Sequence, residues 1–235
     1  MDKLIHQFID TIRAATEDRR RLRIRGGGSK AFYGNPATGE DFDVTGYHGI
    51  IDYEPTELVI TARAGTPLTE IESTMRAKGQ MLGFEPPHFG GGATLGGCIA
   101  AGLSGPRRAY TGAARDFVLG LRLLDGRGTD LRFGGQVMKN VAGYDVSRLM
   151  AGSLGTLGLM VDVSLKVLPF APAEATLVFE LGQAKALEQL HRWGGQPLPL
   201  NASCWVHDST DAGQRELLFV RLRGAVAAVE SACRK

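Results

Sequence analysis

The sequence predicts an α+β protein in two units, residues 1–170 and 171–235, and three observations carry that reading. Runs that alternate apolar and polar residues, as half-buried strands do, are mixed with segments of helical spacing. Pro169-Phe170-Ala171-Pro172 breaks both patterns and marks the boundary. Beyond it the order strand, helix, strand, strand, helix matches a ferredoxin-like unit without its last strand, so the second unit is expected to be incomplete, as in a fragment.

Taken in order, Leu4, Ile5, Phe8, Ile9 and Ile12 repeat at helical spacing and predict a helix ending near Asp18. Leu22 to Arg25 alternates apolar and basic, a short strand. Gly34, Pro36 and Gly39 keep any helix from starting after it. Strands follow near Phe42–Val44, Gly49–Tyr53 and Glu57–Ala64. Thr66 then Pro67 starts a helix running to about Lys78, with proline where its missing N–H costs nothing. Leu95–Leu103 reads as a short helix of small residues. Phe117–Asp125 and Thr129–Phe133, joined by Gly126-Arg127-Gly128, form a hairpin. A helix near Asp145–Met150 precedes a long strand, Leu157–Leu168. The second unit holds strands at Ala175–Leu181, Ala202–His207 and Leu217–Arg223, with helices at Gln183–Trp193 and from Ala225 onward.

Composition excludes several classes. With 43% hydrophobic residues the chain has material for a core, and a net charge of +2 is too small to argue for nucleic acid. The basic run Arg19 to Arg25 reads either as a phosphate-binding face or as a solvated helix end entering a strand with one wet face; Arg25 belongs with the first, because it abuts a glycine loop. Cys98, Cys204 and Cys233 are too far apart for a metal site or a disulfide framework, so a reducing compartment is expected. The N-terminal helix lacks the basic start and continuous apolar centre of a signal peptide.

Glycine, at 32 residues, is the outlier, and it is clustered. The clusters are Arg25-Gly26-Gly27-Gly28-Ser29-Lys30, Gly90 to Gly97 (Gly-Gly-Gly-Ala-Thr-Leu-Gly-Gly), and Gly152 to Gly158 (Gly-Ser-Leu-Gly-Thr-Leu-Gly). Glycine lets successive N–H groups turn into an anion-binding concavity, so several such loops suggest a long ligand with a diphosphate. Gly26-x-Gly28-x-x-Ala31 matches a permissive dinucleotide fingerprint, but Tyr33-Gly34-Asn35-Pro36 forbids the helix that fingerprint must open. Asp41 and Asp43 stand too near for the ribose acid. The Rossmann reading is therefore rejected, and no Walker A motif is present.

Three long segments carry a resemblance: Arg25–Lys30, Gly91–Gly128 and Lys139–Pro169. They resemble the FAD-binding domain of the vanillyl-alcohol-oxidase (PCMH) type. Tyr53–Leu68, Glu85–His88, Gly105–Arg108 and Phe133–Gly135 are similar, more closely, to E subunits of bacterial glycolate oxidase. The resemblance implies two α+β subdomains with extended FAD between them, and then a ferredoxin-like cap. It implies that Gly26, Gly27, Gly28 and Ser29, flanked by Arg25 and Lys30, take the diphosphate on backbone N–H groups. Thr94, Gly96 and Gly97 would hold the diphosphate and ribityl side, with Ile99 and Ala100 nearby, and Gly158 to Val161 would line the adenine or flavin edge. Arg107, Tyr110 and Asp116 are weaker candidates on the same face.

Ser29 stands where relatives with covalently bound flavin commonly have histidine, so dissociable, non-covalent FAD is expected. His88 reads either as a flavin neighbour or as a histidine in a proline-framed turn, and the polar cluster Lys139, Asn140, Tyr144 and Asp145 either as fixing the third loop or as catalytic. The implied activity is FAD-dependent oxidation of a small 2-hydroxy acid, glycolate to glyoxylate. The implied partners are a D-type flavoprotein subunit and an iron–sulfur subunit, and the implied location is cytoplasmic, at most peripheral on the inner membrane through the complex. That chemistry needs a cation for the carboxylate and a base at the hydroxyl, and neither is assignable from the sequence. Two alternatives remain open: a non-catalytic assembly subunit that keeps the flavin fold, and a stand-alone D-lactate-type dehydrogenase.

Overall fold

The computed structural model describes residues 2–135, 144–210 and 214–234. In chain order the elements are α1 (Asp2–Glu17), β1 (Leu22–Arg25), β2 (Glu40–Asp43), β3 (Ile50–Glu54), β4 (Val59–Arg63), α2 (Leu68–Arg76), β5 (Gln80–Met81), α3 (Leu95–Ala101), α4 (Arg108–Thr111), α5 (Ala114–Phe117), β6 (Val118–Leu124), β7 (Asp130–Gly134), α6 (Val146–Leu149), β8 (Leu159–Lys166) and β9 (Leu168–Pro169). They are followed by β10 (Ala173–Glu180), α7 (Gln183–Gly194), β11 (Leu200–Asp208), β12 (Arg215–Gly224) and α8 (Val226–Cys233). The chain divides into two compact units, residues 1–105 with 112–169, and residues 106–111 with 170–235.

The first unit is built on a five-stranded sheet in the order β3-β4-β8-β6-β7, every neighbouring pair antiparallel. Central strands β4 and β8 are covered on both faces, so they read as nearly continuous apolar runs. Leu68, Ile71 and Met75 of α2 and Leu95, Cys98 and Ile99 of α3 pack with Ile60, Val163 and Leu165 into the larger core. A second core forms where α1 brings Ile5, Phe8 and Ile12 against Phe42, Val44, Tyr47, Leu124, Leu159 and Val161. Phe8 meets Phe42 edge to face at 5.3 Å, fixing α1 over the parallel pair β1-β2.

Charge crosses the sheet in a row. Arg63 in β4 is paired in register with Asp162 in β8, and Asp162 with Arg122 in β6. The Arg122 guanidinium also takes Asp130 of β7 in a fork, 2.9 Å from Nε to Oδ1 and 2.6 Å from NH2 to Oδ2. Arg63 lies over the Tyr47 ring at 5.4 Å. The Arg122 hydrogen bonds hold the Asp130 carboxyl below the usual carboxylate range.

In the second unit the sheet order is β10-β12-β11, all antiparallel. Leu218, Val220 and Leu222 alternate along β12, so they share one face, and Ala186 of α7 and Val229 of α8 pack there. This is the βαββα portion of a ferredoxin-like unit. Among the described residues no helix is long and apolar enough to cross a membrane.

Two features differ from the sequence reading. The long strand expected over Leu157–Leu168 is interrupted at Val167, and Leu168–Pro169 leaves to pair with Gln80–Met81. Proline at its end cannot donate to a ladder and stops it there. The short helices α4 and α5 also lie where the sequence shows no helical period.

Candidate functional site

The first glycine loop follows β1, and the second leads into α3. A close approach joins them: a β-carbon on Gly27 would overlap the Gly92 carbonyl oxygen, and one on Gly26 would stand 2.6 Å from Thr94 Oγ1. Only glycine permits that seam. α3 sits equally close to β4, because Gly96 lies against Ala64 and its N–H donates to the Ala64 carbonyl at 2.7 Å. Thr94 caps α3 by accepting from the Gly97 N–H at 3.3 Å.

The third loop is anchored to the same helix. The Gly152 N–H donates to the Ile99 carbonyl at 3.0 Å and the Leu154 N–H to the Ala100 carbonyl at 2.9 Å. A β-carbon on Gly102 would come within 2.9 Å of the Gly152 backbone. All three glycine stretches therefore converge on α3. Between them lies a cleft of about 420 Å³, opening into a recess of about 80 Å³. Val44, Ala64, Gly155, Gly158, Leu159 and Met160 give the recess apolar walls.

The cleft lining is rich in free N–H donors and positive charge. Among the described residues, the backbone N–H groups of Gly26, Gly27, Gly28, Ser29 and Lys30 donate to no other group of the chain. Arg23, Arg25 and Lys30 line the same wall, and Tyr33 is the other titratable side chain there. Asp41 stands behind the arginines, accepting from Arg23 Nε at 2.6 Å and Arg25 NH1 at 3.0 Å. Those bonds keep its carboxyl below the usual range. Beneath the cleft, burial pushes the Cys98 thiol up to about 12.

The residues singled out from sequence fall into three groups. Arg25, Gly26, Gly27, Gly28, Ser29, Lys30, Thr94, Gly97 and Ala100 line the cleft, and Gly96 and Gly158 line the recess. Ile99 and Val161 are buried in the core. Each presents a backbone carbonyl there, Ile99 to Gly152 and Val161 to Ala64. Elsewhere, His88 pairs with Glu72 of α2 at 3.1 Å, and Asp116 accepts from the Ala113 N–H at 2.8 Å. Asp145 caps α6 through the Arg148 N–H, and Tyr144 is 97% exposed. Lys139 and Asn140 lie outside the described residues. Arg107, Tyr110 and Asp116 are not among the side chains lining the cleft.

Sequence reading named neither Tyr33 nor Leu154 as a site residue and left Arg23 between a phosphate-binding face and a solvated one; all three line the cleft. A signal for Arg23 existed. Basic residues at every second position of β1 match acids on β2, and parallel pairing sets Arg23 opposite Asp41. Among the described residues no group of His, Cys, Asp and Glu could hold a metal ion.

Five unengaged N–H groups, three cations and a long apolar-ended cleft fit a dinucleotide diphosphate such as that of FAD. The sequence model described as FAD binding domain matches residues 4–134. The chain is 48% identical over 225 residues to glycolate oxidase subunit GlcE of Escherichia coli (strain K12), covering 96% of this chain and 62% of that protein. It is 33% identical over 129 residues to glycolate oxidase subunit GlcD of Bacillus subtilis (strain 168), covering 55% of this chain and 27% of the relative. The fold resembles a solved alkyldihydroxyacetonephosphate synthase with TM-score 0.73 at 18% identity, over 96% of this chain and 47% of that one.

Proposed function

The chain belongs to the FAD binding domain family, and on that premise we propose that it is the FAD-carrying part of a glycolate oxidase subunit of the E type. FAD, when bound, supplies the acceptor for the two electrons leaving a 2-hydroxy acid such as glycolate. In this reading residues 1–170 are the FAD-binding domain and 171–235 part of a ferredoxin-like cap. The N–H groups from Gly26 to Lys30 hold the diphosphate, and Arg25 and Lys30 offset its charge. Thr94, Gly96, Gly97, Ile99 and Ala100 shape the floor, and Gly158 to Val161 line the recess for a ring edge. Ser29 leaves the flavin dissociable. Electrons pass to a D-type flavoprotein subunit and an iron–sulfur subunit, in a cytoplasmic complex attached at most peripherally to the membrane.

The row of unengaged N–H groups facing the second glycine loop carries this reading. Its test is the visible spectrum of the purified chain before and after acid precipitation. A flavin band released to the supernatant is the expected result. A band kept in the pellet overturns the dissociable flavin, and no flavin after incubation with excess FAD overturns the cofactor.

One observation favours a second reading, an assembly subunit without turnover of its own. The side chains described along the cleft and recess include no histidine or carboxylate that could act as the base. Glycolate turnover by this chain alone would sink the assembly reading. Turnover only with the partner subunits would leave FAD binding here and chemistry shared.

A further inference from the structure

Phe89 is placed as folding alone would not place it. Its backbone is left-handed, φ 52°, a conformation that bulky residues rarely adopt. Its ring is 52% exposed, so the strain is not offset by burial in either core. The turn that carries it is pinned at both sides, by the His88–Glu72 pair before it and by the Gly92–Gly27 seam after it. What the ring touches is the first glycine loop. It meets Phe32, itself 66% exposed, edge to face at 5.0 Å, and the Lys30 ammonium stands over it at 6.0 Å. Among the described residues the ammonium's hydrogen-bond neighbour is Ser29, whose Oγ lies 3.4 Å away.

We infer that Phe89 is a positioning residue for the anion site: its ring, steadied by Phe32, holds the Lys30 ammonium at the mouth of the cleft, over the five unengaged N–H groups. Strained residues persist where the surrounding structure fixes them, and they gather at ligand clamps. The cation is attracted to the ring face without forming a salt bridge, so its charge stays available to a phosphate. Asp41 already engages Arg23 and Arg25, which leaves Lys30 as the cation of this wall with no carboxylate partner among the described ion pairs. The inference rests on the FAD reading above and adds a residue outside the cleft lining to it.

The test uses the full chain with Phe89→Ala, Phe89→Tyr, Lys30→Met and the double variant Phe89→Ala/Lys30→Met. Three probes are titrated: FAD, ADP (the diphosphate without flavin) and riboflavin (the flavin without phosphate). Phe89→Ala is expected to weaken FAD and ADP roughly two- to fivefold, the size of one exposed cation–π contact, and to leave riboflavin unchanged. Phe89→Tyr keeps the ring and restores binding, and the double variant is no weaker than Lys30→Met. Equal weakening of all three probes, additive effects in the double variant, or no effect of Phe89→Ala overturns the positioning role while FAD binding by the parent chain stands. A parent chain that binds neither FAD nor ADP overturns the cofactor reading instead. Unfolding midpoints of the unliganded variants are expected to match the parent, and a large drop for Phe89→Ala would assign the residue to folding.

Discussion

Gly27 and Gly92 meet backbone to backbone, with the Gly92 carbonyl oxygen where a β-carbon on Gly27 would stand. The seam holds two distant stretches of chain against each other without any side chain between them.

Gly27→Ala must force that seam apart. Overpacking of this kind costs about 1–3 kcal/mol. If it is spent on the loop, FAD affinity falls roughly tenfold or more, while far-ultraviolet circular dichroism stays unchanged. Gly91→Ala is the control, since its β-carbon meets nothing within 4 Å. FAD titration of the two variants should separate them cleanly.

Thr94→Ala removes the cap at the start of α3. Caps of this kind contribute roughly 0.5–2 kcal/mol, and the 3.3 Å bond to the Gly97 N–H points to the lower half of that range. Urea denaturation should show a lower midpoint for Thr94→Ala, and Thr94→Ser should recover most of it.

Asp130 contributes to the acid limb of the stability curve. Its folded pKa lies below the ordinary 3.8, chiefly through the Arg122 hydrogen bonds. A depressed carboxyl stabilises the fold above its unfolded pKa, and that contribution disappears as pH falls through the folded value. Asp130→Asn should therefore be less stable at neutral pH, with the difference from the parent shrinking below about pH 4. Unfolding measured from pH 7 to pH 2 checks the sign; a gap that widens in acid would contradict it.

Thiol labelling should divide the cysteines. Cys204 and Cys233 are exposed, whereas Cys98 is buried and its thiol is pushed up to about 12. At pH 8 almost none of Cys98 is thiolate, the reactive form. Intact mass after maleimide treatment should show two labels on the native chain and three after denaturation.

Much of this was legible in the sequence, for local reasons. The α1 stripe, the Thr66-Pro67 helix start and the hairpin around Gly126-Arg127-Gly128 are written in neighbouring residues, and the structure forms an element at each. The glycine stretches pointed to a shared cleft because backbone freedom is itself visible as composition. Pairing over long range was not legible. Gln80–Met81 has no period to read, and it becomes a strand only because Leu168–Pro169 arrives beside it. Arg23 could not be told from a solvated residue until β2 brought Asp41 across from it. Phe89 carries no sequence mark, because its strain is a property of the fold around it.

The charged row across the sheet bears on how the chain finds its register. Arg63, Asp162 and Arg122 stand abreast on three strands, positive, negative, positive. A slip of one residue by β8 would send Asp162 to the opposite face and leave two guanidinium groups flanking an uncharged position. A misaligned sheet would thus lose electrostatic energy as well as apolar burial. The row therefore penalises a register slip in charge as well as in burial.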